Sequence, residues 1–330
     1  MFTDDVLCCP WSRRLTWHRV KILGHGCYAK VYLALYTDHD EFYEEIAVKT
    51  AKLECAFTLQ KETRILEDFY NCPEIVRCLG HEVTVEGGVQ FHNLLLEYAP
   101  LGTLFDLIQR SGDFILPRDI RIYTWVILKG LCCMHAKGYV HCDLKPENIL
   151  VFRSQDHGYQ LKIADFGLSK EPRDTLSKRL LKYRFRGTPL YMSPESVALG
   201  EIKPALDIWS LGCVVLQMIT GKPAWQYGAE YSNPKDIVYL LAFTKKTPRI
   251  PDYLAEIGKD FLRKCFERDH HKRWSAQMLL DHPYVSEASG LPVTQPVRPM
   301  QFSEDQDGSV GRNLRKDVSQ PPTSRNLSNG

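Results

Sequence analysis

The sequence predicts an α+β fold of two lobes, a small β-rich N-terminal lobe with one main helix and a larger, mostly helical C-terminal lobe. Strand-like patterns dominate the chain before about residue 98, and helical periodicity dominates after residue 117. Between them, Ala-Pro-Leu-Gly at 99–102 has the Pro/Gly punctuation of a turn. We interpret this turn as a hinge between an N-terminal lobe at about 17–98 and a C-terminal lobe at about 102–285.

Two flanking segments are predicted to lie outside these lobes. Residues 1–16 are predicted to be a loose leader. Residues 286–330 are rich in Ser, Pro, Gln, Asn and Gly, and Phe302 is their only aromatic residue. Because such a composition cannot bury enough apolar surface to offset chain entropy, this tail is predicted to be disordered.

The overall composition excludes several classes of protein. The 330 residues carry 42 basic and 40 acidic side chains, a net charge of +2, so nucleic acid is not an expected partner. Eleven cysteines are scattered without a CxxC pair, which favours reduced thiols and a cytoplasmic location, alone or together with a nuclear one. Residues 1–12 lack the apolar core of a secretory signal. The longest strongly apolar segment, 208–219, is too short to span a bilayer, so no membrane span is expected.

A short polar loop at 141–148 is the first candidate for chemistry. It contains the acid Asp143, the cation Lys145 and the amide Asn148, between an apolar helical run and a strand-like run. Polar side chains on a loop between rigid elements are a common setting for catalysis. The alternative is an ordinary turn with solvated charges.

The N-terminal lobe contains two further candidate features. Gly24 and Gly26 lie in a turn between two β-rich runs, where the absence of side chains lets the backbone approach a ligand closely. A plain hairpin turn explains these glycines equally well. The strand Glu45–Lys49 ends in Lys49, and the amphipathic helix that follows, at about 55–69, carries Glu62. The alternatives here are an edge-strand lysine and a surface glutamate.

The remaining elements follow from periodicity. Strands are predicted at 75–83, 89–98, 149–152 and 161–164, and helices at 117–135 and 204–219. The strand at 161–164 leads into a second acid, Asp165, in the tripeptide Asp-Phe-Gly. Asp207 lies on the second helix and, if buried, requires a polar partner.

The loop at 168–186 is strongly basic. Three interpretations remain open: a solvated loop, recognition of an acidic partner surface, or binding of a phosphate attached to the loop itself. Thr175 and Ser177 are the best candidates for phosphorylation.

Taken in order, these motifs resemble those of eukaryotic protein kinases over about residues 17–285. The resemblance implies a bilobal protein kinase-like fold and transfer of a phosphoryl group from ATP, with Mg²⁺, to a protein. Thr188 together with Lys145 matches the serine/threonine-specific pattern. Glu195 and Arg273 are expected to pair, and Asp207 to bind backbone N–H groups of the loop at 141–148.

The same resemblance implies a role for each site residue. Asp143 would accept the proton of the substrate hydroxyl, and Lys145 would stabilise the charge on the transferred group. Asn148 and Asp165 would hold Mg²⁺, which prefers one or two carboxylates plus substrate oxygens. Glu62 would orient Lys49. The residues expected to bind ATP are Gly24, Gly26, Val31, Ala47, Lys49, and the backbone of Glu97 and Ala99, with Leu96 behind the adenine.

Three local patterns resemble plant mitogen-activated protein kinase kinase kinases in particular. They are His-Cys-Asp at 141–143, Leu-Glu-Tyr-Ala-Pro at 96–100, and the Gly-Thr-Pro to Met-Ser-Pro-Glu stretch at 187–195. This resemblance implies a MAP kinase kinase as the protein substrate. The alternative is a pseudokinase scaffold that binds partners without catalysis, although the strand Lys and both acids that such proteins usually lack are present.

Cys142 departs from the family pattern. Most regulated kinases have Arg at this position, where it binds a phosphate on the activation loop. We therefore expect activity that depends less on activation-loop phosphorylation. The neighbouring Asp143 carboxylate is expected to disfavour a Cys142 thiolate and hence a redox role.

Overall fold

The computed structural model describes residues 16–26, 29–37, 43–112, 115–154, 158–172, 186–227 and 233–287. Residues 1–15 of the predicted leader and residues 288–330 of the predicted tail lie outside these ranges, as do Thr175 and Ser177. The predicted bounds are wrong at their inner ends, because Thr16 is the first residue of a strand and Ser286 the last residue of a helix.

The N-terminal lobe is built on a five-stranded antiparallel sheet. Its strands are β1 (Thr16–His25), β2 (Lys30–Thr37), β3 (Tyr43–Lys52), β4 (Cys78–Glu86) and β5 (Val89–Glu97). Their order in the sheet is β1-β2-β3-β5-β4, so β3 lies in the centre. Lys49 is paired with Val31 on one side and Leu94 on the other. The alternative of an edge-strand lysine is therefore wrong.

Helix α1 (Phe57–Asp68) packs on this sheet against β4 and β5. Leu59, Ile65 and Leu66 form its buried apolar face, as the amphipathic pattern predicts. Glu62 is also buried, with a side chain that is 1% exposed, so it is not a surface charge. The helix begins two residues later than predicted because residues 53–55 form a 3₁₀ turn.

The predicted strand at 75–83 begins too early. β4 starts at Cys78, while Ile75 forms a parallel bridge with Ile163 of the C-terminal lobe. The Val76 N–H donates to the Ile163 carbonyl at 2.9 Å, and the Ile163 N–H donates to the Glu74 carbonyl at 2.8 Å. The apolar pattern is therefore real, but its first residues pair with a different partner and join the two lobes.

The C-terminal lobe is mainly helical. Its long helices are α3 (Pro117–Ala136) and α5 (Pro204–Thr220), both of which begin with proline, whose fixed φ suits the first helical turn. Every residue of α5 from Leu206 to Met218 is buried, which fits its apolar composition on all sides. The other elements are α2 (Leu104–Arg110), β6 (Ile149–Arg153), β7 (Tyr159–Ile163), α4 (Pro194–Leu199), α6 (Pro234–Phe243), α7 (Glu256–Cys265), α8 (Ala276–Leu280) and α9 (Pro283–Ser286).

One apolar core extends through both lobes, from Leu66 and Leu94 to Phe166 and Trp209. A smaller cluster of Ala34, Ile46, Val48 and Leu95 covers the other face of the N-terminal sheet. Within the described ranges, no helix is long and apolar enough to cross a membrane.

Candidate active site

A cleft of about 660 Å³ lies between the two lobes. Its walls come from the glycine turn, β3, the hinge and the segment around Asp165. The predicted residues that line it are Gly24, Gly26, Val31, Ala47, Lys49, Glu62, Leu96, Glu97, Ala99, Asn148 and Asp165. The cleft is also lined by Leu23 and by Leu150 of β6, which sequence reasoning did not identify. The apolar run at 149–151 could have indicated Leu150 as a residue facing the cleft.

Lys49 holds two carboxylates together at the wall of this cleft. Its Nζ lies 2.7 Å from Glu62 Oε2 and 2.9 Å from Asp165 Oδ1. Burial by itself lowers the pKa of Lys49, but the two carboxylates outweigh that effect and hold the pKa above its ordinary value. Burial would raise the pKa of Asp165, but the Lys49 ammonium overrides it and lowers that pKa to about 2. At neutral pH the cleft therefore contains a fixed cation beside an ionised Asp165.

Glu62 is held by a second contact besides Lys49. The N–H of Phe166 donates to Glu62 Oε1 at 3.2 Å. The Phe166 ring is fully buried, stacked on Phe69 at 6.3 Å and in edge contact with His141 at 5.2 Å. The position of α1 is thereby coupled to the segment that carries Asp165.

The Asp143 carboxylate lies in a dense hydrogen-bond network. Its Oδ1 accepts from the N–H and the hydroxyl of Thr188, both at 2.8 Å. Its Oδ2 lies 2.9 Å from Lys145 Nζ, which also donates to Thr188 Oγ1 at 2.9 Å. This arrangement joins the polar loop at 141–148 to the stretch at 187–195, which resembles the end of the activation segment of protein kinases. Thr188 and Lys145, which together match the serine/threonine-specific pattern, are in direct contact here.

Asn148 is oriented by the same loop. Its Nδ2 donates to the Asp143 carbonyl at 2.8 Å and to Asp143 Oδ2 at 3.2 Å. These two bonds fix the direction of the amide oxygen, which is the atom through which an Asn side chain binds a cation. Asn148 and Asp165 both line the cleft, and together they offer an amide and a carboxylate oxygen, which are ligands suited to Mg²⁺. Among the described residues no cluster of three or more His, Cys, Asp or Glu is placed to hold a metal ion.

Helix α5 supports the loop from below. Asp207 Oδ2 accepts from the His141 N–H at 2.9 Å, and Oδ1 accepts from the Cys142 N–H at 3.0 Å. The expected pairing of Asp207 with the loop backbone is confirmed. Cys142 and Asp165 both have positive φ, 70° and 64°, a conformation that non-glycine residues rarely adopt and that needs such support.

The expected ion pair of Glu195 and Arg273 is also confirmed. Arg273 forms two hydrogen bonds with the Glu195 carboxylate, at 2.7 and 3.0 Å, and both side chains are buried. The pair connects α4, at the end of the activation segment, to the segment before α8.

At the hinge, the structure restricts which backbone groups can bind adenine. The Glu97 N–H donates to the Arg77 carbonyl at 3.1 Å, and the Ala99 carbonyl accepts from the Gly102 N–H at 3.1 Å. The groups of these two residues that remain candidates are the Glu97 carbonyl and the Ala99 N–H. The Glu97 side chain points to the C-terminal lobe, where its oxygens lie 2.7 and 2.8 Å from Lys162 Nζ.

Cys142 lies in an apolar cluster with Val140, Leu206 and Ile202. Burial and the Asp207 carboxylate raise the pKa of its thiol to about 12. The direction agrees with the expectation that Cys142 is not a thiolate, but the carboxylate responsible is Asp207 rather than Asp143. The cation Lys170 also donates to the Ile202 carbonyl here, at 2.9 Å.

Gly187 is a site residue that sequence reasoning did not identify. It adopts φ 104°, and an added Cβ would lie 2.4 Å from the Cys142 carbonyl oxygen and 3.5 Å from Asp143 Oδ1. Only a glycine allows the activation segment to lie this close to the loop. Its place directly before Thr188 and Pro189 was the available signal.

Comparisons with known proteins agree with this geometry. The protein kinase domain family matches residues 17–285. Mitogen-activated protein kinase kinase kinase 20 of Arabidopsis thaliana is 41% identical over 274 residues, which are 82% of this chain and 79% of that protein. Mitogen-activated protein kinase kinase kinases 17 and 18 of the same plant are 38% and 37% identical, with 82% of this chain and 70% and 78% of those proteins covered.

The chain therefore belongs to the protein kinase family, and the two-lobed α+β fold is that of a protein kinase. It is a serine/threonine protein kinase, similar to plant MAP kinase kinase kinases. Members of this family generally use ATP and Mg²⁺.

Proposed function

We propose that this kinase transfers the γ-phosphoryl group of ATP to a serine or threonine hydroxyl of a MAP kinase kinase. The observation that supports catalysis most strongly is the Lys49 ammonium, held 2.7 Å from Glu62 and 2.9 Å from Asp165 at the cleft wall. This is the arrangement required to orient nucleotide phosphates in the family. The MAP kinase kinase substrate is inferred from the names of the similar plant proteins.

The nucleotide would occupy the cleft, with its adenine at the hinge. Val31 and Ala47 would pack on the ring, and the Glu97 carbonyl and the Ala99 N–H would hydrogen-bond its edge. Gly24 and Gly26 would cover the phosphates, which their lack of side chains permits. Lys49, oriented by buried Glu62, would bind phosphate oxygens without having to be desolvated, because its environment is already fixed.

Asp143 is the group that would accept the proton of the substrate hydroxyl. Its Oδ1 accepts the hydroxyl of Thr188, so a hydroxyl hydrogen bond at this carboxylate is already favourable. Lys145, 2.9 Å from Asp143 Oδ2, supplies a positive charge that would stabilise the transferred phosphoryl group. Asn148 and Asp165 would hold Mg²⁺, which when bound neutralises charge on the phosphates.

A pseudokinase scaffold is the competing function. Such proteins usually lose the strand lysine, the catalytic acid or the metal-binding acid. In this chain all three are present, and Lys49 is already paired with Glu62 and Asp165. Catalysis is therefore the better supported function.

The central test is incorporation of radiolabelled phosphate from ATP by the purified chain, into itself and into a generic basic protein. We expect Asp165→Asn to reduce incorporation by about 10³-fold, a size typical for loss of a group that stabilises transition-state charge. Asp252→Asn is the matched control, because the Asp252 side chain is 90% exposed and paired only with Arg249 among the described residues. Near-normal activity of Asp165→Asn would refute the assignment, and no incorporation by the native chain would favour the scaffold.

The substrate class requires a separate test. A panel of purified MAP kinase kinases is compared with the generic substrate by kcat/KM, and the modified residues are mapped by mass spectrometry. We expect at least a tenfold preference for one or more MAP kinase kinases, at Ser or Thr. Equal rates on all substrates would contradict the proposed substrate while leaving the kinase activity intact.

A further inference from the structure

The connection between α1 and β4 lies directly on helix α3. The Glu74 carboxylate forms an ion pair with Lys129. A Cβ added to Gly130 would lie 3.3 Å from both the Cβ and the carbonyl oxygen of Glu74. Since the Glu74 carbonyl also accepts the Ile163 N–H at 2.8 Å, the backbone at this point is held by α3 on one side and β7 on the other.

Two cysteines meet at the same contact. Cys133 lies three and four residues after Gly130 and Lys129, so all three share one face of α3. Cys72 lies two residues before Glu74, and its side chain is near enough to that of Cys133 for the two thiols to interact. Cys72 is 8% exposed, whereas Cys133 is more accessible. The packing of Glu74 on Gly130 therefore brings one buried thiol and one accessible thiol together across the two lobes.

We propose that Cys72 and Cys133 form a redox modification site, at which a hydroperoxide converts the two thiols to one disulfide. In the first step the Cys133 sulfur attacks one peroxide oxygen, so that an S–O bond forms and the O–O bond breaks. The departing hydroxide takes the thiol proton and leaves as water, and Cys133 becomes a sulfenic acid. In the second step the Cys72 sulfur attacks the Cys133 sulfur, the S–O bond breaks, and the disulfide forms. With hydrogen peroxide, two thiols and one peroxide give one disulfide and two waters, and the two electrons pass from sulfur to oxygen.

Glu74 is placed to accept the proton in the second step. The Cys72 thiol donates to Glu74 Oε2 at 3.6 Å. Burial raises the pKa of Cys72 to about 12, so Cys72 stays protonated and is the second thiol to react rather than the first. The carboxylate takes this proton as the Cys72 sulfur attacks and passes it to the departing hydroxide of the sulfenic acid, so that the oxygen leaves as water.

The disulfide would fasten the α1–β4 connection to α3. A cross-link that closes residues 72–133 into a loop restricts the unfolded chain and stabilises the folded state. We expect a rise in Tm of about 5 °C, the size typical for such a loop in a domain of this length. Because Glu74 is already fixed by Lys129 and Ile163, we expect kinase activity to change less than about twofold.

The test uses the full chain, reduced and then treated with hydrogen peroxide. Free thiols are blocked with N-ethylmaleimide, and disulfides are mapped by mass spectrometry of unreduced peptides. We expect a Cys72–Cys133 linkage that dithiothreitol reverses. Cys132→Ser is the matched control, since Cys132 adjoins Cys133 on the same helix and is similarly accessible; this variant should form the linkage, and Cys133→Ser should not.

The native chain decides the proposal even if a variant folds poorly. Three outcomes would overturn it. They are a disulfide that uses Cys132 in place of Cys133, oxidation of Cys133 that stops at the sulfenic or sulfinic acid, and thiols that all remain free. The role of Glu74 is tested separately by trapping the sulfenic acid with dimedone. Glu74→Gln should slow conversion of sulfenic acid to disulfide at least tenfold, and an unchanged rate would remove Glu74 from the reaction.

Discussion

Gly187 permits the activation segment to lie against the catalytic loop, and we expect Gly187→Ala to inactivate the kinase. An added Cβ would lie 2.4 Å from the Cys142 carbonyl oxygen, at φ 104°. The segment must shift, and with it Thr188, whose N–H and hydroxyl bind Asp143 at 2.8 Å. We expect kcat to fall at least tenfold while Kd for ATP stays within about twofold, because Gly187 is not part of the cleft wall.

Gly88→Ala is the control for backbone strain alone. Gly88 has φ 80°, but no atom lies within 4 Å of an added Cβ. The strain of about 1 kcal/mol should lower the free energy of unfolding without changing kcat. Equal losses of kcat in the two variants would contradict the role given to the contact.

Lys49→Met tests how far the Lys49 ammonium keeps the buried Glu62 carboxyl group ionised, and how this affects the stability of the protein. Burial already raises the pKa of Glu62, and Lys49 opposes that shift, so its loss should raise the pKa further. A carboxyl group whose pKa is higher in the folded state binds protons preferentially there, so the variant loses stability as pH rises. We expect it to be about 3 kcal/mol less stable than the native chain at pH 8, and less destabilised at pH 5, by urea unfolding.

Adding Glu62→Leu to Lys49→Met should remove this pH dependence. The double variant no longer has a carboxyl group buried on α1, where Leu fills the position. Asp165 also loses its contact with Lys49, but its side chain is 48% exposed, so water can replace the lost cation. A destabilisation that increases toward acid pH would contradict the assignment to Glu62.

The positions of single site residues were predictable from sequence where residue type and chain order define them. Lys49, Glu62, Asn148 and Asp165 are in this group, and the structure brings all four to one cleft. Gly187 and the Glu97–Lys162 ion pair were not predictable, because each depends on a contact between segments far apart in the chain. Periodicity and local motifs carry no information about such contacts.

Helix α5 supports the catalytic loop at 141–148 through the side chain of Asp207. We expect Asp207→Asn to lower both the stability of the protein and its kcat. Asp207 accepts backbone N–H groups at both oxygens, at 2.9 and 3.0 Å. An amide can accept at only one of these positions and places an NH₂ against the other N–H. We expect a loss of about 2–3 kcal/mol in the free energy of unfolding, because a buried donor loses its partner, and about a tenfold lower kcat.

Asp236→Asn provides the comparison for that experiment. Asp236, like Asp207, lies in the first turn of its helix, but it is exposed on α6. Loss of its charge should cost at most about 1 kcal/mol, the usual size of a helix-dipole interaction at the surface. Equal effects of the two substitutions would show that the backbone contacts of Asp207 contribute little.

Secondary structure was predictable where one period continues over several turns. The helices predicted at 117–135 and 204–219 end one residue later in the structure. The prediction of a strand at 75–83 was wrong at its start, because Ile75 and Val76 pair with Ile163 and not with a strand of the N-terminal sheet. A pattern of apolar residues indicates that a segment is extended and buried, but it does not identify the partner strand.

In the molecule as a whole, contacts among the described residues hold the catalytic elements together. Lys49 and Glu62 are paired, and Phe166 is buried between Phe69 and His141. Lys61 of α1 donates to the Ser169 carbonyl at 2.7 Å, which joins the helix to the start of the activation segment. The Lys49–Glu62 ion pair, the Lys61 hydrogen bond and the buried Phe166 ring therefore hold α1 in position.

These features predict activity that is largely independent of activation-loop phosphorylation. Cys142 stands where a phosphate-binding arginine is expected, and it packs on Val140 and Leu206. The nearby cation Lys170 donates a hydrogen bond to the Ile202 carbonyl. Thr175→Ala combined with Ser177→Ala should therefore retain more than about half of the native kcat, as should phosphatase-treated native protein. Thr188→Ala is the control in the same segment, since it removes a hydroxyl that binds Asp143, and it should lower kcat at least tenfold. A loss in the double variant as large as that of Thr188→Ala would show that a phosphate on this loop is required after all.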